Sequence, residues 1–469
     1  MQADSRKIIS ENIVADRSKL KIICVFLHRI YFGRIPYEGQ YRGKKRKAMN
    51  ITELQQSYAS HPNVEGVCRL LKDNSVRHLY CGGLYASAAS LFSSVLVQRA
   101  TCPLVFILGD MEEAGYFYHD LTQILGTEQV LFFPSSFRRA IKYGQKDAAN
   151  EILRTEVLSR LQKGEEGLCV VTYPDALAEK VVSRKELGEN TLKLHAGERV
   201  DMDFVTDVLR SYGFEYVDYV YEPGQYAVRG SIIDVFSFSS EYPFRIDFFG
   251  DEVESIRTFE VETQLSKEKK ESIVIVPDLS HSLEKRGSGG MVSFLDFLPS
   301  DSLLAMRDFL WLRERIQTVH DESLTLQAIA ARESEENGAI TLEGKLIDGG
   351  EFTLRALDFR RMEFGNKPTG TPDATVSFHT TVQPIFHKNF DMVAESFREY
   401  LSRHYTIYIC SDSLKQTDRI RAIFEDRGDN ISFTAVERTL HEGFADDTLR
   451  ICVFTDHQLF DRFHKYNLK

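Results

Sequence analysis

The sequence is short of the features that mark several protein classes. Its 469 residues contain one tryptophan and 12 prolines. No run approaches the roughly 18 apolar residues of a membrane-spanning helix. The apolar stretch Ile22–Leu27 is too short and too closely flanked by charge for a signal peptide. Seven cysteines, an odd number, show no C-x-x-C pair and no metal-ligand spacing with the histidines. That argues against a disulfide framework and a zinc site, and favours reduced, buried thiols in a cytoplasmic protein. No Ser/His/Asp or Cys/His set suggests a nucleophilic enzyme. The acidic pairs Glu112-Glu113, Glu165-Glu166 and Asp446-Asp447, and the Glu333–Glu336 region, read as solvated faces.

Positive charge is also scarce outside the N-terminus. Residues 1–48 hold 12 Lys or Arg against 4 Asp or Glu, whereas the remainder carries 46 basic residues against 65 acidic ones. Duplex DNA is bound mainly by neutralising phosphates, so an acidic body argues against a broad nucleic-acid surface. The basic run Arg42-Gly-Lys-Lys-Arg-Lys47 leaves direct DNA binding through 1–48 as a separate possibility. The other reading of 1–48 is a disordered or non-native extension, because Met49-Asn-Ile-Thr-Glu opens a helical pattern as a natural start would.

What is present is an ordinary globular balance, 43% hydrophobic and 27% charged, long enough for about three domains. From Met49 to Val182 helix and strand patterns alternate. Leu54–Leu71, Ser87–Gln98, Glu112–Leu125 and Asn150–Leu161 read as helices; His78–Cys81, Leu104–Leu108, Val130–Phe133 and Leu168–Thr172 read as strands. This spacing predicts a parallel sheet covered by helices. After the first of these strands, Gly83-Leu-Tyr-Ala-Ser-Ala-Ala-Ser90 stands where a phosphate-binding loop would. A working loop needs a second glycine and a lysine, but Ala88 and Ala89 hold those positions, and only Ser90 fits. The reading is a P-loop element without nucleotide chemistry and no cofactor; a plain Gly-Gly turn is the alternative.

The most regular β signal lies between Tyr221 and Glu260. Phe244, Ile246 and Phe248 alternate with Arg245 and Asp247, and Gly250-Asp251 offers a hairpin turn into Glu252–Phe259. Gly224 and Gly230 bracket the preceding strand as bulges or close approaches. The helix Phe204–Tyr212, ended by Gly213, precedes these strands.

The run Gly224-Gln-Tyr-Ala-Val-Arg229-Gly230-Ser-Ile-Ile-Asp234-Val-Phe236, with Arg245-Ile-Asp-Phe-Phe-Gly250-Asp-Glu-Val-Glu254-Ser-Ile-Arg257, resembles the UvrB-homology region of bacterial transcription-repair coupling factors and, more distantly, UvrB. The resemblance implies a degenerate P-loop domain of RecA/UvrB-like α/β fold, an inserted β-rich domain that docks UvrA, and a small third α/β domain. It also implies RNA polymerase and DNA as partners of a C-terminal ATP-driven translocase absent from this sequence, which stops at Lys469 without helicase motifs. Arg229 matches an arginine that the relatives use against UvrA. Tyr226, taken as exposed, would be its aromatic companion, with Gln225 and Tyr216 beside them. UvrB arginines are replaced here by Ala227 and Tyr216, making this surface less basic. From the residues alone, Arg229 either recognises a partner carboxylate or pairs with Asp234 or Asp247 in its own sheet, and Asp234 reads as a residue that orders the strand. A UvrB-like nucleotide-hydrolysing helicase is the competing function.

The expected organisation is 49–182 as the first part of the P-loop domain, 183–261 as the inserted domain, 262–385 as the return to the first domain, and 386–469 as the third domain. Ile273–Val276 and Leu303–Met306 read as strands of the returning part, Asp308–Ala331 as a long helix, and Gly287-Ser-Gly-Gly290 as a loop. In the third domain Asn389–Arg403 and Ser413–Arg427 read as helices; Thr406–Cys410, Ile431–Val436 and Ile451–Phe454 read as strands.

Overall fold

The computed structural model describes residues 48–136, 148–278, 290–333 and 344–462. The basic run at 42–47, the Glu333–Glu336 region beyond Glu333 and most of the Gly287–Gly290 loop lie outside the described residues.

The first sheet has seven strands, all parallel. Their order is Ala374–Ser377, His78–Gly82, Arg360–Gly365, Leu303–Met306, Leu104–Ile107, Cys169–Thr172 and Val130–Phe133. Strands such as Leu104–Ile107 and Cys169–Thr172 are fully buried, as continuous apolar runs require when helices cover both faces. The expected helices Ser87–Arg99 and Met111–Leu125 are present. The predicted helix over 54–71 is two, Ile51–Ala59 and Pro62–Leu70. Proline tolerates only the first turn of a helix, so Pro62 starts a new one, capped by the His61 ring accepting the amide of Asn63 at 3.0 Å.

A second six-stranded sheet holds Ser266–Lys270, Glu252–Phe259, Phe244–Phe249, Ile232–Val235, Gln225–Arg229 and Glu215–Tyr216 in that spatial order. The Gly250 turn closes the expected hairpin, with Phe249 opposite Glu252. Gly230 takes φ +62° in the turn between Arg229 and Ile232, and at Gly224 a Cβ would meet Phe238 at 2.9 Å. Ser272–Ile275 pairs antiparallel with Leu192–His195, and Leu194, Ile273 and Ile275 share one core with Ile233, Ile246 and Ile256. The strand expected in the returning domain thus closes the inserted one.

The third sheet runs Met49–Asn50, Thr434–Glu437, Thr406–Ser411, Ile451–Thr455, Phe444–Asp446 and Thr380–Val382. Met49–Asn50 and Thr380–Val382, assigned from the sequence to the first domain, are strands of this sheet. Helices Phe390–Ser402 and Leu414–Asp426 pack on it around Phe397, Phe424 and Phe454. Among the described residues, no helix is long and apolar enough to cross a membrane.

Candidate functional site

Two places carry the sequence-predicted residues. The first is the strand Gln225–Arg229 and its surroundings. Side chains of a strand alternate between faces, so Gln225, Ala227 and Arg229 share one face and Tyr226 and Val228 the other. Val228 and Tyr226 turn toward the core built on helix Met202–Ser211. Tyr226 is 1% exposed, and its hydroxyl accepts from Arg210 Nε at 3.2 Å. The expectation of an exposed aromatic at Tyr226 is therefore corrected: a helix covers that face. Tyr216 is exposed, but it sits beside Tyr226 across the strand pair, edge to face at a centroid separation of 5.5 Å. The register puts it on the side of the sheet away from Arg229.

On the Arg229 face the guanidinium pairs with the carboxylate of Asp234, which is 0% exposed. Arg245 donates to both oxygens of the same carboxylate, at 2.8 and 2.9 Å. Two arginines compensate the desolvation that one buried carboxylate would otherwise suffer. Of the two sequence readings of Arg229, the ion pair with Asp234 is present, and 35% of the arginine side chain remains accessible. Asp234 orders the sheet. Asp247 pairs with Arg257 at 3.2 Å.

The exposed aromatic beside Arg229 is Tyr219, which the sequence reading passed over. Its ring centroid lies 5.0 Å from the Arg229 Cζ, and the residue is 51% exposed. A cation held over an aromatic face at this distance is attracted by the ring quadrupole. The loop bearing Tyr219 is pinned from below by Val220, which packs with Ala227, Phe236 and Phe259. Gln225 holds it from the side: its Oε1 accepts the amides of Tyr221 and Glu222 at 2.9 and 3.0 Å. The signal that would have found Tyr219 is the spacing of Val217 and Val220 on either side of it, two anchors with a projecting aromatic between them.

The second place is the loop Gly83–Ser90. It lies at the carboxyl end of His78–Gly82 and leads into helix Ser87–Arg99, where a phosphate loop would sit. Four of its backbone amides, however, donate within the chain itself. Tyr85 N donates to Thr380 Oγ1 at 2.9 Å, Ser87 N to the Glu442 carbonyl at 3.2 Å, Ala88 N to Tyr85 and Ala89 N to Ala86. Gly83 adopts φ +76°, and an added Cβ would lie 2.1 Å from the Phe378 carbonyl oxygen. The glycine serves a close approach of the chain to the Phe378 carbonyl. Ala86, at φ 51° and ψ −147°, occupies a region that favours glycine and costs about 1–3 kcal/mol.

Ser87 and Ser90 donate to Asp120 Oδ2 at 2.6 and 2.9 Å, and His441 N donates to Oδ1 at 2.7 Å. Glu442 N reaches back to Ser87 Oγ at 3.0 Å. Burial pushes the Asp120 carboxyl up to about 6, against the lowering by these hydrogen bonds, and burial also raises Glu442. A cavity of about 340 Å³ remains beside the loop, with Asp110, Glu112, Glu113, Asp120 and Glu442 in its wall against Arg307. Glu113 is engaged there, accepting from Gly109 N at 2.7 Å and pairing with Arg307 at 2.5 Å, so the Glu112-Glu113 pair is no plain solvated face. A polyanion would meet net negative charge. Asp446, also read as solvated, is 0% exposed and accepts the Tyr58 hydroxyl at 2.8 Å.

Residues 192–281 match the family model for the UvrB interaction domain. The transcription-repair-coupling factor of Escherichia coli K12 is 30% identical over 198 residues, 42% of this chain and 17% of that protein. That of Bacillus subtilis 168 is 22% identical over 456 residues, 81% of this chain and 38% of the relative. The factor of Staphylococcus aureus MRSA252 matches at 22% over 443 residues, again 81% and 38%. The chain thus spans less than two fifths of the length of these relatives, and the resemblance read from the Gly224–Arg257 run holds. Residues 192–281 thus resemble the UvrB interaction domain, in a chain similar over 81% of its length to a transcription-repair-coupling factor.

Proposed function

We propose that this chain is the UvrA-docking portion of a transcription-repair-coupling factor. The observation that carries the reading is the partly open Arg229 on the ordered face of a UvrB interaction domain. A guanidinium with one side fixed and another accessible suits recognition of a carboxylate across a protein interface. Docking through it would bring UvrA, in the cytoplasm, to RNA polymerase stalled at a DNA lesion. Displacement of polymerase, contact with DNA and ATP hydrolysis would belong to a translocase outside this sequence.

The chain itself is proposed to hydrolyse nothing and to need no cofactor. Supporting this, the amides of the phosphate-loop remnant are engaged by Thr380, Glu442 and the loop itself, and the adjoining wall is acidic. A UvrB-like hydrolase would need a lysine on the β/γ-phosphates, and Ala89 is 2% exposed inside the helix core. Competition is the test of the docking reading. UvrB and this chain, carrying the same kind of interaction domain, should exclude one another from immobilised UvrA. Simultaneous binding of both at saturation would contradict a shared docking mode.

A further inference from the structure

We infer that Tyr219 is a specificity-determining residue of the docking face, acting with Arg229 as a preorganised pair. This rests on the reading of that face as the UvrA surface. One side of the Arg229 guanidinium is committed to Asp234, whose carboxylate is shared with Arg245. The Tyr219 ring lies against the guanidinium at 5.0 Å. What is left for a partner is the remaining donor edge, next to a half-exposed aromatic surface.

The pair is held in place before any partner arrives. Val217 N donates to the Tyr226 carbonyl at 2.9 Å, Gln264 Nε2 donates to the Val220 carbonyl at 3.3 Å, and Gln225 secures Tyr221 and Glu222. A long arginine normally loses rotamer freedom on binding, and fixing it beforehand reduces that cost. Tyrosine and arginine are also among the residues enriched at interface hot spots. The partner surface that fits is a carboxylate beside an apolar contact, one group for the open edge and one for the ring. Asp218 and Glu222 flank Tyr219 on the same loop, so a second carboxylate on the partner would be repelled, which narrows the fit.

The experiment is a titration of purified UvrA against the full chain and its Tyr219→Leu, Tyr219→Phe, Arg229→Ala and Tyr219→Leu/Arg229→Ala variants, with thermal midpoints as fold controls. Tyr219→Leu should weaken binding about tenfold, and Tyr219→Phe, which keeps the ring, by less than about twofold. The double variant should lose less than the product of the single losses, because each residue acts through the other. Wild-type affinity in Tyr219→Leu, or losses that multiply, would overturn the role of Tyr219 while leaving docking through Arg229 standing. Unchanged affinity in Arg229→Ala as well, or no binding by the wild-type chain, would overturn the docking reading and this inference together.

Discussion

The carboxylate of Asp120 accepts the backbone amide of His441 at 2.7 Å, joining residues 321 positions apart in the chain. The loop Gly83–Ser90 is thereby joined to the chain's own loop at 441–442, with Ser87 and Glu442 exchanging two further hydrogen bonds.

Asp120 gives this contact a pH dependence. Its carboxyl is raised to about 6 in the folded protein from an unfolded value near 3.8. Below both values the carboxyl is neutral in either state and has no effect. As pH rises from about 4 to 6 the unfolded chain ionises first, so folding incurs a penalty that is complete above about 6. A displacement of this size corresponds to at most about 3 kcal/mol. The variant Asp120→Asn, unable to ionise, should therefore gain stability relative to wild type as pH climbs through this window. Denaturant unfolding at pH 4, 5, 6 and 7 measures the difference; a gap that stays constant contradicts the assignment.

Restoring the missing lysine should not restore nucleotide binding. In Ala89→Lys the cation would enter a position 2% exposed, and the amides that cradle phosphate would still be engaged. Titration with magnesium and ATP is expected to show no saturable binding at micromolar concentrations for wild type or variant. Saturation in either would revive a nucleotide-dependent reading.

Gly83 should tolerate no side chain. Its φ of +76° alone costs an L-residue about 1–2 kcal/mol, and the Phe378 carbonyl, 2.1 Å from a Cβ, would have to move. Gly83→Ala should therefore destabilise by more than that, read as a lowered thermal midpoint. A variant as stable as wild type would show that the loop relaxes freely.

Tyr58 joins the helix Ile51–Ala59 to the third sheet through Asp446. Removing the hydroxyl leaves a buried carboxylate one donor short, although Thr448 N and Leu449 N still donate to its other oxygen at 2.9 and 3.0 Å. Tyr58→Phe should cost about 1–3 kcal/mol, measurable as a shifted denaturant midpoint with an unchanged slope.

Much of the architecture is legible in the sequence because buried parallel strands write themselves as apolar runs, as Leu104–Ile107 and Leu303–Met306 do. Arg360–Gly365 escaped notice although it lies inside the same sheet, since its sequence carries two arginines and a glutamate. Glu363 is 0% exposed there, with His78 Nε2 at 3.3 Å and the Thr369 amide donating at 2.7 Å. Such compensation comes from distant segments, and no local pattern reveals it. The phase of the Gln225–Arg229 strand was readable from its alternation, which already separates Tyr226 from Arg229. Which face a helix covers was not. The contact between the Gly83–Ser90 loop and residues 441–442 was equally hidden, because the two lie in distant parts of the chain.

The most direct test of the account is a titration of UvrA with the full chain and with Arg229→Glu. The wild-type chain is expected to bind saturably. The charge reversal should weaken binding by about 1–3 kcal/mol or more, about thirtyfold at the centre of that range, while the secondary-structure spectrum stays unchanged. Equal affinity in a folded Arg229→Glu variant would remove this arginine from the interface and contradict the account.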